Sequence, residues 1–205
     1  TPIVEESQFR LEEEDFAWFA ENLDAGDHWR AVPSFGHRIA FVDIETTGGM
    51  NADDLTLIGV FDGRKMHHFV KGENLYDFPA SIEETAILVT FFGTGFDLPF
   101  IKRAFPQLKM PQMHVDLCYL LRKLGYKGGL KKIEAQLGIG RTNETTGLGG
   151  MDAVRLWYEY KAGNLHSREV LLQYNEEDVR NMVELLEIGY RKMERHIRSG
   201  NDLTR

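Results

Sequence analysis

The chain has 205 residues, of which 42% are hydrophobic, enough to build one domain around a substantial core. Its formal charge of −8 argues against a protein that coats nucleic acid through bulk electrostatics. It leaves open an enzyme that gathers carboxylates around cations, because bound divalent ions reverse the local field.

The opening Thr1-Pro2-Ile3-Val4-Glu5-Glu6 carries no basic region followed by an apolar segment, so no secretory signal is expected. The first residue is not Met, and whether sequence precedes Thr1 is left open. No apolar run approaches the roughly 20 residues of a membrane helix, so no membrane partner is expected. The single cysteine, Cys118, excludes an internal disulfide and a cysteine-rich zinc site, and fits a reducing, cytoplasmic setting.

From Ser7 to Leu23, Phe9, Phe16, Phe19 and Leu23 recur at helical spacing among Glu residues, which predicts one amphipathic helix. A Gly/Pro-containing linker follows from Ala25 to Gly36, so residues 1–36 are expected to pack as a helix and linker on a domain spanning 37–205. The run Ile39-Ala40-Phe41-Val42-Asp43-Ile44 reads as a central strand covered on both faces. Leu55 to Phe61 and Lys65 to Val70 flank Asp62-Gly63-Arg64 as a hairpin. A short helix from Ser81 to Ala86 and a strand from Ile87 to Phe92 come next. The helix Leu98 to Ala104 follows the turn Gly93-Thr94-Gly95, and Gln112 to Val115 is a short strand. Helices are expected over Asp116 to Leu124, Leu130 to Leu137, Met151 to Tyr160 and from about Ser167 to near Arg195. The Gly- and Thr-rich segment between Gly138 and Gly150 reads as a mobile loop. This order predicts an α/β fold, a mixed sheet with helices on both faces.

Some carboxylates fall where a core should be. Asp43 lies in an apolar strand, where a charge is costly unless paired or metal-bound. Glu45, two residues on, points to the same side, and the pair offers an oxygen site for a hard cation. Leu171, Tyr174, Asp178, Met182 and Leu185 follow helical spacing and form one stripe, apolar apart from Asp178 and the tyrosine hydroxyl. Glu176 and Glu177 fall off that stripe and are expected in solvent. Asp97, followed by Leu98-Pro99, reads as a helix N-cap, a role that could account for it without chemistry.

Phe41-Val42-Asp43-Ile44-Glu45-Thr46-Thr47-Gly48 resembles the first motif of the DEDD exonucleases, which share the ribonuclease H-like fold. Gly93 to Ile101, with Asp97, resembles their second motif, which more usually carries an Asn where Phe92 stands. Tyr174-Asn175-Glu176-Glu177-Asp178 resembles the third in its tyrosine form; the histidine branch would place a His at Gln173. The likeness covers roughly Ile39 to Gly189. From His114 to Glu134 the chain also looks like a subgroup of predicted prokaryotic ribonuclease H-like exonucleases whose substrates are poorly defined.

The resemblance implies a five-stranded mixed sheet, three antiparallel-paired strands and then parallel ones. It implies two divalent cations, Mg²⁺ or Mn²⁺, with Asp43 between both, Glu45 and Asp178 completing the first and Asp97 holding the second. Tyr174 would orient the attacking water, and the product would be a nucleoside 5′-monophosphate from a single-stranded 3′ end of DNA or RNA. Thr46, Thr47 and Phe96 are candidates for contact with the terminal nucleotide, with a place in the core as the competing reading of Phe96. Arg122, Lys123, Lys127, Lys131 and Lys132 cluster around Gly128-Gly129, with Lys102 and Arg103 after the second motif. They read equally well as a backbone track, Lys131 and Lys132 above all, or as solvated helix faces. His67, His68 and His114 lack metal-ligand companions by spacing. A structure-specific endonuclease and a catalytically silent nucleic-acid-binding domain are the rival readings, and protein partners are not legible.

Overall fold

A computed structural model describes residues 2–199. Helices α1 (Pro2–Glu12), α2 (Phe16–Asn22) and α3 (Val32–Phe35) precede strand β1 (Ile39–Thr46). The hairpin β2 (Leu55–Phe61) and β3 (Met66–Val70) follows, then helix α4 (Phe78–Ser81), β4 (Ile87–Thr90), α5 (Asp97–Ala104) and β5 (Met113–Asp116). Four helices follow among the described residues: α6 (Leu117–Lys123), α7 (Leu130–Leu137), α8 (Gly150–Lys161) and the long α9 (Leu165–Arg198). No helix among the described residues is long and apolar enough to cross a membrane.

The five strands form one sheet in the order β3-β2-β1-β4-β5. β1 is antiparallel to β2, and β2 to β3, whereas β4 runs parallel to both β1 and β5. This is the expected mixed, ribonuclease H-like sheet, with β1 at its centre. Strand alternation divides the core between its two faces. Phe41, Val89 and Val115 pack with Leu117, Leu121, Val179, Met182 and Leu185 of α6 and α9. Ala40, Val42, Ile44 and Leu88 pack on the other side with Phe78 of α4 and Phe100 and Ile101 of α5. Asp43 and Glu45 share the odd-numbered face with Phe41, and so look toward α9.

Three elements depart from the sequence reading. The N-terminal helix is two helices, because Asp15 caps a new one by accepting the Trp18 N–H at 3.1 Å, just after Glu14 turns to φ +50°. α1 buries none of its residues and leaves Phe9 exposed, while Phe16, Phe19 and Leu23 pack on the core. The stretch read as a linker is a series of short helical turns that bury Trp29, Ala31 and Phe35. The helix expected from Ser81 instead ends there: Pro79 suits a first helical turn, and Ile82 is buried beneath the turn that follows.

Candidate active site

Asp43 and Glu45 leave the sheet near the carboxyl end of β1, and Asp178 meets them from α9. Carboxylate oxygens of the three lie within 4.8 Å of one another. Asp97, the first residue of α5, joins the same cleft from beyond the end of β4, as does Tyr174, one turn before Asp178. The cleft has a volume of about 530 Å³, with Thr46, Phe92, Phe96 and Met151 on its walls. Glu45, Asp97, Tyr174 and Asp178 are buried, and Asp43 is partly exposed on the cleft floor. Asp97 is not the N-cap of α5; that position is Phe96, and no side chain caps the helix. The Asp97 carboxylate is thus left for the cleft.

Four carboxylates in one hollow disfavour one another's charge. Burial, then Asp97, Glu45 and Asp178, push the Asp43 carboxyl well above the usual range against a hydrogen bond from Asn175. Burial and Asp178 do the same to Glu45, partly offset by Lys131. Burial raises Asp97 to about 7, opposed by hydrogen bonds from the backbone of Asp97 and Ile44. Asp178 is raised by burial, though Arg141 and Lys131 pull it down. Such a cluster fits a divalent cation: the donors are all hard oxygens and they converge.

Two cations of the chain itself reach the cleft. Lys131 Nζ donates to the Tyr174 hydroxyl oxygen at 2.7 Å and to the Leu148 carbonyl. The basic residue expected to follow substrate is therefore turned inward. Because Tyr174 accepts from Lys131, its own O–H proton is free to donate. Burial and the surrounding carboxylates hold that phenol above its ordinary value, so it stays protonated at neutral pH. Arg141, with a buried side chain, makes a two-pronged contact with Glu134 at 2.6 and 2.7 Å and brings Nη2 within 2.5 Å of Asp178 Oδ1.

Arg141 belongs to the segment read as a mobile loop, and that segment is fastened to α9. Glu177, expected in solvent, accepts the Thr142 N–H at 2.6 Å and the Thr145 hydroxyl, with Arg141 Nη1 3.7 Å away. Thr145 is fully buried. Reading Glu177 off the helix stripe missed this because its partner arrives from a loop, which periodicity does not register.

Asn175 was also missed as a site residue. It is fully buried, and its Nδ2 donates to Asp43 Oδ2 at 2.9 Å. Its place is made by Gly59, paired with Asp43 across the β1–β2 ladder: a Cβ there would lie 1.9 Å from Asn175 Oδ1. A glycine inside the apolar strand Leu55–Phe61 was the available signal, since such a residue marks close approach of another element.

The remaining candidates separate. Thr46 and Phe96 line the cleft. The Thr47 hydroxyl bonds to Asp54 instead, and the Lys132 side chain lies against Gly128. His114 bonds to the Thr90 hydroxyl at 2.9 Å and lines a separate hollow with His28 and Trp29.

Residues 40–190 match the family model described as the RNase_H superfamily. A comparison with curated proteins gives no match. Among solved structures, the chain is similar to the family B DNA polymerase of the hyperthermophilic archaeon Pyrobaculum calidifontis, with a TM-score of 0.57 and 17% identity over 73% of this chain. It is also similar to Escherichia coli RNase D, with a TM-score of 0.52 and 18% identity over 82% of this chain. The matched region covers only 24% of the polymerase and 43% of RNase D. At these identities the likeness is one of fold.

Proposed function

The chain belongs to the RNase_H superfamily, and from that premise we propose that it is a metal-dependent 3′→5′ exonuclease acting on single-stranded nucleic acid. The observation that carries the reading is the meeting of Asp43, Glu45, Asp97, Asp178 and Tyr174 in one cleft. RNase D, which shares the fold, is named an exoribonuclease. The polymerase neighbour is named for DNA, so the fold does not choose between DNA and RNA.

In this reading Asp43, Glu45 and Asp178 would hold one divalent cation, Mg²⁺ or Mn²⁺, and Asp43 and Asp97 would hold a second. Bound there, the cations supply Lewis-acid stabilisation of the phosphate and a more acidic attacking water. The chain's own groups then have defined tasks. Asn175 fixes the Asp43 carboxylate through Oδ2, which limits the directions its other oxygen can take. Lys131 occupies the Tyr174 hydroxyl oxygen as a donor, which leaves the phenol O–H to be offered to a water. Tyr174 orients that water by donating to it and takes no proton, because a neutral phenol is no base. Thr46 and Phe96 line the cleft wall, and in this reading they would meet the terminal nucleotide.

The test is a panel of end-labelled single- and double-stranded DNA and RNA with Mg²⁺ or Mn²⁺, resolved by label position. Stepwise shortening from the 3′ end, with closed circular single strands left intact, is the expected result. Cleavage of the circle would make the enzyme an endonuclease. No cleavage of any substrate would favour a silent binding domain. Asp43→Asn is expected to abolish the hydrolysis, and near wild-type activity in that variant would overturn the site.

A further inference from the structure

Phe92 holds a backbone conformation that its packing does not explain. Its φ is +61°, in the left-handed region that bulky residues rarely enter, and Glu14 is the only other described non-glycine residue there. Such a conformation is strained for a bulky residue and persists only where the surroundings impose it. Here they do. Asp116 Oδ1 accepts the Phe92 N–H at 2.8 Å, Asp116 Oδ2 accepts the Thr94 N–H at 3.0 Å, and the Phe92 carbonyl accepts from Gly95 and Phe96. The ring lies against Gly95, where an added Cβ would come within 2.7 Å of it.

Burial of the ring does not offset that strain, since Phe92 remains 45% exposed. Beside it stands a second exposed aromatic, Tyr119 of α6, at 41%, the ring centroids 6.4 Å apart and the planes tilted by 39°. The Arg122 guanidinium lies 5.3 Å from the Tyr119 ring centroid. Phe92 lines the acidic cleft, and Tyr119 lines an adjoining hollow of about 280 Å³ with Thr94 and Lys123. The two rings thus form an apolar, cation-flanked ledge running out of the cleft.

We propose that Phe92 and Tyr119 are a stacking ledge for the unpaired bases of a single strand whose end enters the acidic cleft, with Arg122 beside it for the backbone. The proposal rests on the nuclease reading above. Base–aromatic stacking needs a free π-face and reads no sequence, so the ledge favours unpaired strands of any sequence over duplex. The ledge also accounts for a phenylalanine at a left-handed position that Asn would occupy with less strain.

The test compares Phe92→Asn, Phe92→Trp, Tyr119→Ala and Tyr119→Phe with the wild type, by fluorescence anisotropy of a labelled single-stranded oligonucleotide in Ca²⁺ and by kcat and KM in Mn²⁺. Phe92→Asn and Tyr119→Ala are each expected to weaken single-strand binding by about 5- to 150-fold, which is ~1–3 kcal/mol per stacked base at 1.4 kcal/mol per tenfold. KM should rise more than kcat falls, and the aromatic replacements should keep affinity. Phe92→Asn should also raise Tm, which separates lost stacking from lost folding. If the wild type cleaves single strands but all four variants bind within twofold of it, or Phe92→Trp binds as poorly as Phe92→Asn, the ledge is wrong and the nuclease stands. If the wild type neither binds nor cleaves any single strand with Mg²⁺ or Mn²⁺, the nuclease reading fails and takes the ledge with it.

Discussion

Burial holds the Asp97 carboxyl at about 7, so it takes up and releases its proton across the neutral range. A carboxyl whose pKa rises on folding favours the folded state while protonated. That contribution is fully present below its ordinary value of 3.8 and is lost as pH rises through about 7. In chelator, Asp97→Asn should therefore match the wild type in Tm near the lower limit, exceed it increasingly as pH rises toward the upper one, and hold a constant lead above it. Scanning calorimetry across that window checks this, and a gap that stays flat or narrows would contradict a shift caused by burial. Tyr174 differs in kind, because its proposed task needs only a donated hydrogen bond. Tyr174→Phe should keep the fold and lower kcat by about 10- to 100-fold, the scale of one hydrogen bond to a charged or reacting group. A loss as complete as that of Asp43→Asn would mean that Tyr174 does more than orient water.

At the scale of elements, the site depends on how closely α9 approaches the hairpin. Gly59 of β2 permits that approach, and Gly59→Ala would press on the carboxamide of Asn175. Either β2 or α9 must shift, and the hydrogen bond to Asp43 breaks or lengthens. The expected outcome is a fall in Tm together with weaker Mn²⁺ binding by calorimetric titration; unchanged Mn²⁺ affinity would show that Asn175 does not position Asp43. The strand carrying Asp43 and Glu45 was legible because acids interrupt an otherwise apolar run, and the stripe holding Tyr174 and Asp178 because helical spacing is strong over a 34-residue helix. The hairpin was legible from Asp62-Gly63-Arg64. The break at Asp15 was not, because Phe9, Phe16 and Phe19 keep an acceptable helical spacing straight across it. Nor was the fastening of the loop after Gly138: Arg141, Thr142 and Thr145 meet Glu134 and Glu177 only in the folded chain, and no local pattern links them.

For the whole molecule, the carboxylates at the centre oppose folding, and the cations proposed to bind among them would oppose that in turn. In the metal-free chain Arg141 neutralises part of the cluster, lying between Glu134, which is 1% exposed, and Asp178. Removing one partner from a buried ion pair typically costs ~3–5 kcal/mol, because the other charge is left unpaired. Arg141→Gln should therefore lower the metal-free Tm. The same contact engages the Asp178 oxygen that otherwise lacks a hydrogen bond, so Arg141 competes for a group proposed to hold a cation. A ligand that binds only the folded state raises stability by ~2.7 kcal/mol at a hundred times its Kd, and a tighter site raises it further at the same concentration. Arg141→Gln should accordingly start from a lower Tm and gain more than the wild type when Mn²⁺ is added at a fixed concentration. Paired melting curves with chelator and with Mn²⁺ measure both terms. A lower starting Tm with an equal or smaller gain would make Arg141 a brace for Glu134 alone, with no competition at Asp178.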